Sequence, residues 1–286
     1  MFITVDDGVD LYVERRGKGV PCIYLHGGPG YWSKSFSEIA GPLLEDQFEM
    51  IYLDQRGCGR SSKQSSDYSL RRLMKDLDEI KKQLNIEDHY MMGHSFGGIL
   101  AANYAAGHNP LLRGILLINV TLNMKESFIH QIKKGSALLG IDPIHINTED
   151  TGDFMDAFYY VQARLYEAGC YFDFQYMDIS HKKQLDDIDK DIDVSEQLQL
   201  SVFSDPDFFQ DFTLITSRID VPAFILTGTC DDAVGPDHYE SFQFKNALIR
   251  KIETAHHPYL EAPHEFQTAI SDFLKYESRL LKGTYK

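Results

Sequence analysis

Gly93-His94-Ser95-Phe96-Gly97 is the segment that most narrows what this 286-residue chain can fold into. It follows Asp88 to Met92 (DHYMM), which reads as the end of a short buried strand. It precedes Ile99 to Gly107 (ILAANYAAG), which is Ala-rich and helix-forming. A G-x-S-x-G run between strand and helix makes a tight turn, and the two glycines leave room for it. The turn lifts the hydroxyl of Ser95 clear of the sheet. The helix that follows offers unpaired N–H groups and a positive dipole end to a developing oxyanion. Five residues alone fit an ordinary Gly-rich turn equally well, so the rest of the chain has to decide.

A serine hydroxyl is a weak nucleophile at neutral pH. It needs a histidine base, a carboxylate to orient that base, and donors for the oxyanion. Val221 to Thr227 (VPAFILT) is apolar throughout, as a strand covered on both faces should be, and it runs into Gly228-Thr229-Cys230-Asp231-Asp232. Asp231 and Asp232 are adjacent, so their side chains diverge and only one can face a histidine. A second late strand, Leu248 to Glu253, leads into Thr254-Ala255-His256-His257-Pro258, where His256 and His257 again stand side by side. Glu261-Ala262-Pro263 then opens a C-terminal helix, with proline in its first turn. Early in the chain, the buried strand Pro21 to Leu25 is followed by His26-Gly27-Gly28-Pro29-Gly30. So many glycines beside a proline give a fixed backbone with exposed N–H groups. The N–H groups of Gly28 and Phe96 are the expected oxyanion donors.

Together these segments resemble the α/β-hydrolase superfamily over nearly the whole chain. Within it, His26-Gly27-Gly28-Pro29-Gly30 and Asp54-Gln55-Arg56-Gly57-Cys58-Gly59-Arg60-Ser61 are similar to the HGGPG and DQRGxGRS motifs of the proline iminopeptidases. The resemblance implies the order nucleophile, acid, base: Ser95, then Asp231 three residues past the strand-ending glycine, then His256 five residues before Glu261. It implies that Asp232 contacts a substrate amine, and Trp32, just past the oxyanion loop, is the other candidate substrate contact. Arg56 and Asp54 are expected to pair and brace the floor of the site. One departure lies at the turn itself. Proline iminopeptidases usually read G-G-S-W-G, whereas His94 before the serine is commoner among esterases, thioesterases and C–C hydrolases. The implied activity is removal of N-terminal residues from short peptides, with a carboxylesterase as the alternative.

The implied fold is a mostly parallel eight-stranded α/β-hydrolase sheet with helices on both faces and an inserted helical cap. Strands and helices alternate up to Val120 and again from Val221, which supports it independently. A hairpin signal around Asp6-Asp7-Gly8 precedes them. From 124 to 212 strand runs vanish and aromatic residues crowd together, as in Phe154 to Tyr160. We read 1–123 and 213–286 as the two parts of the core and 124–212 as the cap, since disordered inserts are poor in aromatics. Of the net charge of −15, −11 falls between Thr121 and Phe212, with 18 acidic and 7 basic residues. Such a roof solubilises, and it also favours a cationic substrate.

No basic stripe suits nucleic acid, and no apolar run reaches membrane-spanning length. The start of the chain lacks a signal-peptide pattern, and the four cysteines show no C-x-x-C pair, which fits a cytoplasmic protein with free thiols. His256-His257 are too few ligands for zinc. The expected partner is a small molecule or short peptide, with neither metal nor cofactor.

Overall fold

The apolar runs form strands because each can be covered on both faces, and alternate side chains along them enter two separate cores. The computed structural model describes residues 1–107, 109–144, 146–147, 151–192 and 196–283. Its strands are β1 (Phe2–Thr4), β2 (Asp10–Gly17), β3 (Val20–Leu25), β4 (Phe48–Leu53), β5 (His89–His94), β6 (Leu112–Ile118), β7 (Ala223–Gly228) and β8 (Ala247–Ile252). They form one eight-stranded sheet in the order β1-β2-β4-β3-β5-β6-β7-β8. β2 runs antiparallel to β1 and β4, and every other pairing is parallel.

The helices are α1 (Lys34–Ile39), α2 (Gly41–Leu44), α3 (Leu70–Gln83), α4 (Gly97–Ala106), α5 (Met124–Leu139), α6 (Thr151–Glu167), α7 (Ser180–Ile188), α8 (Glu196–Ser204), α9 (Pro258–Glu261) and α10 (Pro263–Leu281). Ile23, Ile51 and Ile115 meet Leu77 of α3 and Ile99 of α4 on one face of the sheet. Tyr24, Tyr52 and Leu116 meet Phe36 of α1, Leu44 of α2 and Phe273 of α10 on the other. The helix-period stripe Phe266, Ala269, Ile270 and Phe273 of α10 is buried against the sheet.

Between β6 and β7 the described residues form α5 to α8 and four short 3₁₀ turns. This helical cap has an apolar cluster of its own, in which Phe128 of α5 stacks on Phe158 of α6 at 4.0 Å. The aromatic crowding in the sequence thus reflects a small separate core. Asn123 caps the start of α5 through the Glu126 N–H at 3.2 Å, and Gly140 ends it at φ 63°. Residues 145, 148–150 and 193–195 of the expected cap, and 284–286 of the expected C-terminal core, lie outside the described residues. None of the described helices is long and apolar enough to cross a membrane.

The pairing expected between Arg56 and Asp54 does not occur. Arg56 is fully buried and reaches Asp76 of α3 at 2.7 Å and Asp7 of the first hairpin at 2.7 Å, fastening that hairpin to α3. Asp54 takes Arg60 instead, Nε to Oδ2 at 2.7 Å, because the turn through Gly57 and Gly59 brings the chain back over the strand end. Burial pushes the Asp54 carboxyl up, but the Arg60 guanidinium outweighs it and holds the group below its ordinary value.

Candidate active site

Ser95 sits between β5 and α4 with φ at 54°, a conformation that residues other than glycine rarely adopt. The flanking glycines are required by contact rather than by flexibility. A β-carbon on Gly97 would strike the carbonyl oxygen of Leu25, and one on Gly93 would lie 2.6 Å from the carbonyl oxygen of Gly97. A side chain at either position would push α4 off the sheet. Ser95 itself is only half-buried, at the mouth of the turn.

Asp231 lies just past β7 and is almost completely buried. Its Oδ1 accepts the N–H groups of Ala233 at 3.0 Å and Val234 at 3.3 Å. Its Oδ2 accepts Asn119 Nδ2 at 2.8 Å, and His256 Nδ1 is shared between the two oxygens, at 3.0 Å from Oδ2 and 3.1 Å from Oδ1. With its Nδ1 proton committed to the carboxylate, a neutral His256 keeps the lone pair on Nε2, the form a general base needs. The loop carrying His256 is held from several sides. Glu261 Oε2 accepts the Ala255 N–H at 2.6 Å, and the His256 N–H donates to the Gln175 carbonyl at 3.1 Å.

Two contributors to this arrangement were not anticipated from the sequence. Asn119, just past β6 with φ at 46°, donates from one amide to both Asp231 Oδ2 and the Ala255 carbonyl, at 2.8 and 2.9 Å. His94 donates from Nε2 to the His256 carbonyl at 2.9 Å. Burial and the neighbouring His256 push the pKa of His94 down to about 3, so this brace stays neutral. Its place beside Ser95 was visible in the sequence, but its reach across to the loop carrying His256 was not. Asn119→Ala should weaken both contacts at once. We expect a stability loss of about 1–3 kcal/mol from the buried groups left unpaired. The accompanying fall in kcat should be tenfold or so, measured by thermal melting beside turnover.

The His26–Gly30 loop is fixed from beneath. His26 Nδ1 donates to the Gly27 carbonyl at 2.8 Å and its Nε2 accepts the Gln55 N–H at 3.0 Å, while Gln55 Nε2 returns to the His26 carbonyl at 2.8 Å. Asp54 Oδ1 accepts from Ser33 N–H and Oγ at 2.8 and 2.6 Å. Gly27 approaches Ser95 so closely that a β-carbon there would lie 2.8 Å from Ser95 Cβ. Among the described residues, the N–H groups of Gly28 and Phe96 donate no hydrogen bond to the backbone.

Asp232 and Trp32 sit differently. Asp232 turns toward α5, where Lys134 Nζ and His130 Nε2 each lie 2.8 Å from its carboxylate. Burial raises its pKa, but hydrogen bonds from His130 and Lys134 prevail and keep it below the ordinary carboxylate range. Trp32 is buried, and its indole N–H goes to Ser35 and Asp189 at 2.8 and 2.7 Å. His257 is also buried and bonds the Tyr259 hydroxyl at 2.9 Å, away from the Asp231 carboxylate. Among the described residues no group of three or more His, Cys, Asp and Glu could hold a metal ion, and all four cysteines are free thiols.

A family model for the alpha/beta hydrolase fold matches residues 20–139. The chain is similar to a proline iminopeptidase of Neisseria gonorrhoeae, at 33% identity over 125 residues, 42% of this chain. In that match it spans 40% of the relative's own length. It is also similar to a proline iminopeptidase of Heyndrickxia coagulans, at 24% identity over 91% of this chain and 92% of that one. Among solved structures, a proline iminopeptidase-related protein from Thermus thermophilus superposes with a TM-score of 0.82 at 22% identity, covering 96% of each chain.

Proposed function

We propose that the chain, which resembles the α/β-hydrolase superfamily and its proline iminopeptidase branch, is a serine hydrolase that removes N-terminal residues from short peptides. The observation that carries the chemistry is the buried hydrogen bond from His256 Nδ1 to Asp231, 3.0 Å long, beside the strained turn of Ser95. Ser95 Oγ attacks the substrate carbonyl as His256 Nε2 takes its proton. The N–H groups of Gly28 and Phe96 receive the negative oxygen. His256 then protonates the leaving amine, and an acyl-enzyme on Ser95 remains. Water, deprotonated by His256, attacks that acyl group, and the released Ser95 oxygen recovers its proton. Asp231 keeps the imidazole oriented and stabilises it while charged.

The aminopeptidase reading draws its support from the HGGPG and DQRGxGRS motifs, from the names of the relatives and from the acidic cap. A second reading, hydrolysis of neutral acyl esters, is favoured by the engagement of Asp232 with Lys134 and His130, which leaves its carboxylate already compensated. The free thiols, with Cys22 and Cys58 buried, support a reducing compartment and a cytoplasmic location.

Substrate charge separates the two readings. An ammonium held by a shielded carboxylate gains a charge-assisted hydrogen bond of roughly 1.5–3 kcal/mol. N-acetylation of an alanyl or prolyl arylamide should therefore lower kcat/KM by about ten- to a few hundred-fold. Equal or faster turnover of the acetylated form would end the aminopeptidase reading and favour the esterase.

A further inference from the structure

Asp189 lies in the cap, on the 3₁₀ turn Asp189–Asp191 that follows α7. Both of its carboxylate oxygens are engaged by the segment just past the oxyanion loop. Trp32 Nε1 and Ser35 Oγ donate to Oδ1, the first at 2.7 Å, and the Tyr31 hydroxyl donates to Oδ2. Trp32 Nε1 also lies 2.8 Å from Ser35 Oγ, so the three side chains and the carboxylate form one network. Burial, and next the charge of Asp189, hold the Tyr31 hydroxyl in its protonated, donating form. No other cap carboxylate among the described residues collects donors in this way from the oxyanion segment.

Tyr31 folds back close to Gly28. A β-carbon built on Gly28 would lie 2.9 Å from the Tyr31 nitrogen and 3.4 Å from its Cβ, so only Pro29 and Gly30 link the two through a tight turn. The core fixes this segment at Ser33, through Asp54. Tyr31 and Trp32, which stand between that anchor and Gly28, are gripped from the cap.

We propose that Asp189 is a positioning residue: through Tyr31, Trp32 and Ser35 it holds the Gly28 N–H where the oxyanion forms, so the oxyanion hole is complete only while the cap is seated. This rests on the reading of Ser95 as nucleophile and Gly28 as oxyanion donor. Donors serve an oxyanion only within a few tenths of an ångström, and a misplacement of about 1 Å from a remote change can cost about 100-fold in rate. The proposal also gives Trp32 a role that needs no contact with substrate.

The test exploits the fact that Trp32 is the chain's single tryptophan, so its emission reports on this network alone. Turnover is followed with p-nitrophenyl acetate, whose acyl group is too small to use a cap subsite. Asp189→Ala should shift the emission to the red and lower kcat by about ten- to 100-fold, with KM moved by less than about threefold. Asp189→Asn, which keeps an acceptor, should lose less. In a Trp32→Phe background the loss caused by Asp189→Ala should shrink, because the two residues act through one network. Asp187→Ala, which removes only an exposed pair with Lys190 at 2.9 Å, should leave kcat as it was. If Asp189→Ala keeps kcat within about twofold of the parent, or changes KM alone, the proposal is overturned. Should Asp189→Ala not fold, Asp189→Asn and Tyr31→Phe carry the same test, and full kcat in both would overturn it equally. Ser95→Ala in the same assay keeps the two readings apart. Retained turnover there refutes the nucleophile, whereas a dead Ser95→Ala beside a fully active Asp189→Ala refutes the positioning role alone.

Discussion

Alanine in place of Ser95 is expected to lower kcat by about 10⁴-fold or more while the protein remains folded. The two effects separate because the hydroxyl stands at the half-buried tip of the turn. The steric demands of that turn fall on its neighbours, Gly93 against Gly97 and Gly97 against Leu25. Alanine keeps the β-carbon, so the packing against Gly27 survives and the positive φ costs no more than it does with serine. What disappears is the nucleophile, and only the oxyanion donors and substrate binding remain to assist a water molecule. Circular dichroism with a thermal melt should match the parent. A folded variant retaining more than a few per cent of the parent kcat would sink the assignment.

Asp231→Asn should be nearly as damaging, with a loss of about 10⁴-fold in kcat. In the parent, Oδ1 accepts two backbone N–H groups while Oδ2 faces two further donors, Asn119 Nδ2 and His256 Nδ1. An asparagine has a single oxygen for these sites. If the oxygen stays on the Ala233 and Val234 N–H groups, its NH₂ opposes Asn119 and crowds His256 Nδ1, which keeps only its 3.1 Å contact with that oxygen. Turning the imidazole or moving its proton to Nε2 relieves that opposition, and either change removes the lone pair that should accept the Ser95 proton. Asp232→Asn makes the contrast. That side chain faces Lys134 and His130 on α5, so its loss should act mainly on KM and leave kcat within about tenfold. Steady-state kinetics on both variants decides. A crippled Asp232→Asn beside an active Asp231→Asn would exchange their roles.

The readable parts of this molecule are those governed by neighbours in sequence. The turn at Ser95 could be read because the steric need for Gly93 and Gly97 arises within a few residues. The stripe on α10 and the apolar runs of β3, β5 and β7 could be read because burial imposes a period on the chain itself. Pairings across long separations left no such trace. Asn119 meets Asp231 over 112 positions, His94 meets His256 over 162, and Asp189 meets Trp32 over 157. Each of these polar groups has a partner that is fixed only once the sheet and cap are assembled. Arg56 failed for the same reason. Its proximity to Asp54 in sequence suggested a pair, while its guanidinium runs to α3 and to the first hairpin. Adjacency showed that the Asp231 and Asp232 side chains diverge, but not that Asp232 would meet His130 and Lys134, about 100 positions away.

Covalent labelling tests the central claim most directly. The parent protein, its Ser95→Ala variant and its His256→Ala variant are treated with a fluorophosphonate, digested, and mapped by mass spectrometry. A serine activated by His256, with donors ready for the oxyanion, should take up one phosphonyl group per chain on the peptide carrying Ser95. The Ser95→Ala protein should take up none, and the His256→Ala protein should react far more slowly. An adduct on a different residue of the folded parent, or a folded parent that does not react, would contradict the account.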